Sequence, residues 1–339
     1  MDATFGAGCA PIGRSPATGA RNQAEAMTAS LASTPSTTPA PEALTYFRLS
    51  RRTPGWWRPL ATVGLFLLTY LVLVVGLVVL WLLLPGAAEA MSATDIDMAD
   101  PVQAAFLCLM LALLVPAGRL TVRMLGRRGT LDSVAGRFRW GLFVRSVTLT
   151  VAPMLLPLAV MWVVDPVTPV LSERTLGLLA VAVLIVPLQA AGEEYLFRGV
   201  LMQAIGHWLR APAWGLVISL PLFVLGHDYD AWGLASVGVF AAVTTWLTWR
   251  TGGLEAAVAL HAVNNTIAFA LGAIGIADLN ATTTTWVAAL MSSIIPIGFA
   301  VVFDVWWRRR GCRLYSSVSA TSPRAMAAFS GRSGPDAAP

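Results

Sequence analysis

The sequence predicts an all-α fold: a polytopic integral membrane helical bundle of about eight transmembrane helices. Three observations carry that prediction. Of the 339 residues, 56% are hydrophobic and only 12% are charged, against about 25% charged residues in soluble domains. Apolar runs close to the ~20 residues needed to cross a bilayer recur along the chain. Arginines gather at alternate ends of those runs, as orientation signals do. The net charge of +5 follows the ends of the runs and forms no stripe, so the bilayer is the expected partner and nucleic acid is not.

Residues 1–45 are rich in Ala, Ser, Thr, Pro and Gly and are expected to be a disordered tail. They hold no apolar core of about 7–15 residues, so no secretory signal peptide is expected, and Met27 offers an alternative start. Residues 46–310 form the expected transmembrane domain, and residues 311–339 a second small-residue tail. The first span, Leu60 to Leu84, contains no charge. The second runs from Val102 to Gly118, with Pro116 near its end, and the third from Ser146 to Val164. The fourth, Leu176 to Ala191, runs directly into "GEEYLFRGV". The fifth, Ala213 to Gly226, is interrupted by Pro221. Ala231 to Trp249, Leu254 to Ile274 and Trp286 to Trp307 complete the set.

The arginines orient these spans. Arg48, Arg51, Arg52 and Arg58 precede the first, and the next loop carries Glu89, Asp95, Asp97 and Asp100 with no arginine. The loop after the second span holds Arg119, Arg123, Arg127, Arg128, Arg137, Arg139 and Arg145. Arg210 and Arg250 mark later turns, and Arg308, Arg309, Arg310 and Arg313 follow the last span. Basic and non-basic ends alternate under an eight-span count, which places both termini in the cytoplasm of a cell with a bacterial-type inner or plasma membrane. The segment 129–145, "GTLDSVAGRFRWGLFVR", reads either as an amphipathic surface helix or as an ordinary charged loop. The cysteines Cys9, Cys108 and Cys312 show no metal, redox or disulfide spacing.

Ionisable groups inside membrane spans are costly, and by default they mark function. Three places qualify. In Glu193–Glu194–Arg198, Glu194 and Arg198 are i and i+4 and share a helix face. Glu193 lies about 100° round the helix, so Arg198 can neutralise Glu194 and leave Glu193 for other work. In "FVLGH", Phe223 and His227 close the fifth span; in "HAVNN", His261 and Asn265 share a face of the seventh, beside Asn264. The bland readings are a helix end meeting water, a structural histidine and ordinary helix–helix hydrogen bonding. Depth discriminates only in part. Glu193 and His261, roughly 12 Å into its span, can meet. His227 matches Glu193 in distance from the turn at Arg210–Pro212, but it matches His261 only if that hairpin projects into the cytoplasm or bends at Pro221.

If Glu193, His227, His261 and Asn265 converge, a carboxylate in a partly dry pocket can act as general base on water. Histidine and asparagine donors can hold the oxyanion of a tetrahedral intermediate, which together make an amide hydrolase. Glu193, His227 and His261 are also the residue types of some catalytic zinc sites. No G-x-S-x-G motif is present.

E-E-x-x-x-R, F-x-x-x-H and H-x-x-x-N, on successive membrane helices in that order, resemble the CAAX-protease and bacteriocin-processing (CPBP) family of intramembrane endopeptidases, the type II CAAX endopeptidases. The resemblance covers about residues 173–270, the expected protease core. It implies Glu193 as the base that activates water, with Glu194 and Arg198 supporting it. It implies His227 assisting the water or the leaving group, and His261 with Asn265 stabilising the oxyanion. The family has been described both as metal-dependent and as a metal-free glutamate class; the metal-free reading is favoured here, with zinc on Glu193, His227 and His261 as the alternative. The implied substrates are peptides or membrane-associated proteins, CAAX-like ones among them. Two other readings stand beside this one: a non-catalytic membrane scaffold or bacteriocin self-immunity protein, and a proton-coupled transporter using the glutamate and histidine as a relay.

Overall fold

The computed structural model describes residues 44–83, 96–164 and 166–310. Most of the two expected tails, and with them Cys9 and Cys312, lie outside the described residues. All named elements are helical. A 3-10 helix, Tyr46–Arg52, is followed by α1 (Arg58–Trp81), α2 (Pro101–Ala112), α3 (Leu114–Met124), α4 (Trp140–Val164), α5 (Thr175–Leu184) and α6 (Val186–Glu194). A π-helical segment, Tyr195–Leu201, leads into α7 (Met202–Trp208), then α8 (Pro212–Leu225), α9 (Ala231–Thr251), α10 (Glu255–Ala273) and α11 (Trp286–Arg309).

Local chemistry sets many of these boundaries. Asp100 caps α2 by accepting from the backbone N–H groups of Val102 and Gln103, with Pro101 in the first turn. Asp230 caps α9 through Gly233 N–H, and Thr285 caps α11 through Ala288 N–H. Pro116 and Pro187 lack the N–H of an unbroken ladder, and the helix is interrupted just before each, at Leu113 and Ile185. Gly252, at φ +65°, ends α9 in the left-handed conformation that glycine adopts without penalty. This lets α10 begin almost at once.

Among the described residues, seven helical stretches are long and apolar enough to cross a membrane. The second joins α2 and α3, and the fourth runs unbroken in direction from Thr175 to Trp208 over 34 residues. The fifth expected span is α8, at 14 residues about 21 Å long and so shorter than the others. Leucines and valines of α1 such as Leu68, Leu71 and Val72 are exposed, as expected of side chains that face lipid. The 129–145 segment is a loop of turns as far as Phe138, followed by the first residues of α4. The amphipathic-helix reading does not hold, because this loop folds inward: Val134 N–H donates to Gly252 O, and Leu254 N–H donates to Asp132 O.

Helix α10 is the centre of the bundle, packed against α4, α5, α6 and α9. One buried cluster joins the 3-10 helix, the 129–134 loop and the Tyr195–Met202 region through Tyr46, Leu49, Leu131, Tyr195 and Leu254. A second joins α8, α9, α10 and α11 through Phe223, Phe240, Leu260 and Phe299. A third, with Ala104, Cys108, Ala182 and Phe269, lies toward the opposite end. The conserved direction of the long Thr175–Trp208 stretch makes it roughly 51 Å long, well beyond a hydrocarbon core of about 30 Å. Its surplus lies at the arginine-rich end. There Ser50 Oγ donates to Gln203 O at 2.7 Å, Gln203 Nε2 to Thr130 O at 2.7 Å, and Trp208 Nε1 to Trp56 O at 2.8 Å. The 3-10 helix and the loop thus cover the far end of this stretch, from which the chain turns back into α8.

Candidate active site

Glu193 and Glu194 end α6, where the chain passes into the π-helical segment. Such segments are rare and frequently mark functional positions. Helix α6 reaches the bundle centre because Gly192 has no side chain: a Cβ there would lie 2.0 Å from Leu111 O. The two carboxylates then part, as their spacing predicts. Glu194 is fully buried and its Oε1 accepts from Arg198 Nη1 at 3.0 Å. Arg198 is equally buried, donates from Nη2 to Ala241 O at 3.1 Å, and stacks its guanidinium 4.4 Å from the centre of the Phe223 ring. A buried ion pair needs good geometry and further hydrogen bonds to offset its desolvation cost; these contacts supply part of that, while Glu194 Oε2 and Arg198 Nε are buried with no hydrogen-bond partner among the described residues.

His261 joins the two carboxylates. Its Nδ1 lies 2.8 Å from Glu194 Oε1, and its Nε2 lies 3.5 Å from Glu193 Oε2. An ionised carboxylate only accepts, so Nδ1 carries a proton toward Glu194, and Nε2 faces Glu193. The rings of Phe240 and Phe223 enclose the imidazole, with centroids at 4.9 and 6.1 Å.

Glu193 is held from its other side by a row of amides. Gln189 Nε2 donates to Glu193 Oε1 at 2.6 Å, Asn265 Nδ2 to Gln189 Oε1 at 3.2 Å, and Asn264 Nδ2 to Asn265 Oδ1 at 3.1 Å. The acceptor-only carboxylate at the end of the row fixes the sense of every amide in it. Glu193 Oε2 is buried and accepts no hydrogen bond. Gln189, four residues before Glu193 on the same helix, went unnoticed in the sequence. Its signal was there: an amide in an otherwise apolar run, on the helix face of Glu193.

His227 stands apart from this network. Its Nδ1 lies 2.8 Å from Phe223 O, so the backbone carbonyl takes the Nδ1 proton and Nε2 is the open atom of the neutral ring. Its ring is 4.8 Å from that of Phe223, which therefore sits among His227, His261 and Arg198. Among the described residues, no three His, Cys, Asp or Glu side chains form a group that could hold a metal ion.

A second polar cluster braces the site from the arginine-rich end. Tyr195, next to Glu194, donates its hydroxyl to Asp132 Oδ1 in a short hydrogen bond, and Arg119 Nη2 binds both Asp132 Oδ1 at 2.9 Å and Tyr195 Oη at 2.7 Å. Arg139 grips Glu255, at the start of the α10 helix that carries His261, through Nε at 2.8 Å, Nη2 at 2.7 Å and its backbone N–H at 2.8 Å. None of these residues was singled out as a site residue in the sequence.

Apolar membrane-length helices wrapped around a buried cluster of titratable side chains define a polytopic helical membrane protein. Residues 175–267 match the family described as type II CAAX prenyl endopeptidase Rce1-like. The match runs from α5 into α10. An uncharacterized protein of Bacillus subtilis, YyaK, is 34% identical over 101 residues, which are 28% of this chain and 34% of that relative. The match thus spans about a third of the relative's length. No solved structure matches the chain.

Proposed function

We propose that this protein is an intramembrane endopeptidase in which Glu193 activates water to hydrolyse peptide bonds of membrane-associated or CAAX-like substrates. One observation carries the proposal: Glu193 Oε2 is a buried carboxylate oxygen that accepts no hydrogen bond and lies beside His261 Nε2, while Oε1 is fixed by Gln189. Glu193 Oε2 takes a proton from water as the hydroxide adds to the carbonyl carbon. Asn265 uses only one amide N–H on Gln189 and keeps the other for the oxyanion. His261 donates from Nε2 once it has received a proton across the gap from Glu193. Collapse of the intermediate passes that proton from His261 Nε2 to the leaving amine, and His227 assists the leaving group. Glu194 and Arg198 hold His261 in the required tautomer.

The proposed cycle needs no metal. Activity of the purified protein in detergent against a peptide library, measured with metal analysis and with a chelator, tests this directly. Metal-free, chelator-resistant cleavage is expected, and cleavage that stops on chelation and returns with zinc would overturn the metal-free cycle. Glu193→Gln is expected to abolish cleavage while the thermal melting profile stays intact. Unaltered cleavage by that variant would remove Glu193 from the role of base. The proposed setting is a bacterial-type inner or plasma membrane with both termini in the cytoplasm, which terminal reporter fusions test.

A further inference from the structure

Outside the active site, a groove of about 540 Å³ lies between α9 and α11. Its walls are apolar, with Ala242 and Trp246 on one side and Ala300 and Val301 on the other. The two alanines leave the space that larger side chains would fill. Its end toward the arginine-rich side is charged. Asp304 Oδ1 accepts from Arg250 Nε at 2.7 Å, and Arg308 Nε forms an ion pair with Asp304 Oδ2 at 2.6 Å.

Two guanidiniums share one carboxylate, so the groove end keeps a net positive charge, and the exposed Arg309 adds to it. Both arginines bind Asp304 through Nε. No hydrogen bond within the described residues engages their Nη atoms, which are the donors suited to paired phosphate oxygens. Along α9, Ala242 is eight residues from Arg250, about 12 Å at the helical rise. The groove is therefore a long apolar slot with a cationic mouth at the level where headgroups lie.

We propose that this groove is a binding site for an anionic phospholipid of the leaflet on the arginine-rich side. The phosphate sits at the exposed Arg308, with the buried Arg250 behind it on Asp304, and one acyl chain lies between α9 and α11. Charge complementarity selects the headgroup, and a basic pocket between membrane helices is the recognised setting for such lipids. The site is separate from Glu193. It lies on the opposite face of α9 from Phe240 and Ala241, which touch His261 and Arg198.

Native mass spectrometry of the full chain in neutral detergent tests this, titrated with phosphatidylglycerol and, in parallel, with phosphatidylcholine of the same chain length. Retention of one phosphatidylglycerol with at least roughly fivefold preference over phosphatidylcholine is expected, from about that factor per guanidinium facing the headgroup. R308A, at an exposed position, is expected to lower the preference roughly fivefold. A300L, which fills the slot, is expected to lower retention of both lipids; a melting curve for each variant verifies folding. Equal retention of the two lipids by the wild-type chain, or unchanged phosphatidylglycerol retention in folded A300L, would overturn the proposal.

Discussion

Two buried carboxylates at opposite ends of the site make an instructive pair. Glu255 is saturated: its oxygens take Arg139 Nε, Nη2 and backbone N–H. Glu193 is held by one amide at Oε1 and leaves Oε2 without a hydrogen bond. Both sit where a charge is expensive. The first has every partner it needs and acts as a rivet between the 139 turn and α10. The second is positioned and left open, at a cost of about 1–3 kcal/mol for an unsatisfied buried group, which a folding role alone does not explain. Buried charge by itself therefore does not mark a catalytic group here, and neither does one unsatisfied oxygen, since Glu194 Oε2 has no hydrogen bond either. Glu193 differs in being partly exposed and in having no arginine partner among the described residues, whereas Glu194 is fully buried and paired with Arg198.

This contrast can be broken experimentally, and the largest effect is expected at the open carboxylate. Glu193→Gln should lower peptide cleavage by roughly 10²–10⁴-fold, the usual contribution of a general base, with little change in melting temperature. The saturated carboxylate should behave in the opposite way. Glu255→Ala leaves Arg139 uncompensated and should destabilise the fold by about 3–5 kcal/mol, read as a lowered midpoint in a denaturation titration, while the fraction that stays folded still cleaves. If Glu255→Ala silenced the folded enzyme without moving the midpoint, the division between rivet and base would fail.

Smaller effects sharpen the comparison. Gln189→Leu removes the amide that fixes Glu193 and strands Asn265 Nδ2, at about 1–3 kcal/mol. It should act chiefly on kcat, by roughly tenfold or more, with KM little changed, since Gln189 positions the base and does not contact the substrate. The smallest change is expected for Tyr195→Phe. Asp132 keeps Arg119 as a partner, so the loss should be about 1 kcal/mol of stability, and cleavage at low temperature should stay near wild type.

The sequence alone determined what is local or imposed by the bilayer. A hydrocarbon core demands helices of a given length, so the apolar runs and their alternating arginines could be read as spans directly. The Glu194–Arg198 pair is an i,i+4 contact on one helix, and the freeing of Glu193 follows from helical rotation. The short α8, the loop at 129–138 and the role of Gln189 were legible only in part, because an isolated amide or an arginine-rich turn has several equally good local readings. Tertiary structure decided which distant groups share a carboxylate. His261 reaches Glu194 across 67 residues and Tyr195 reaches Asp132 across 63, separations that no helical period encodes. It also decided what covers the chain beyond Tyr195: the 3-10 helix and the 127–135 loop, through Ser50 on Gln203 and Gln203 on Thr130. Which contacts form at such separations depends on how whole helices pack, and that packing is set here by Gly192 against Leu111 and by the α10 helix at the bundle centre.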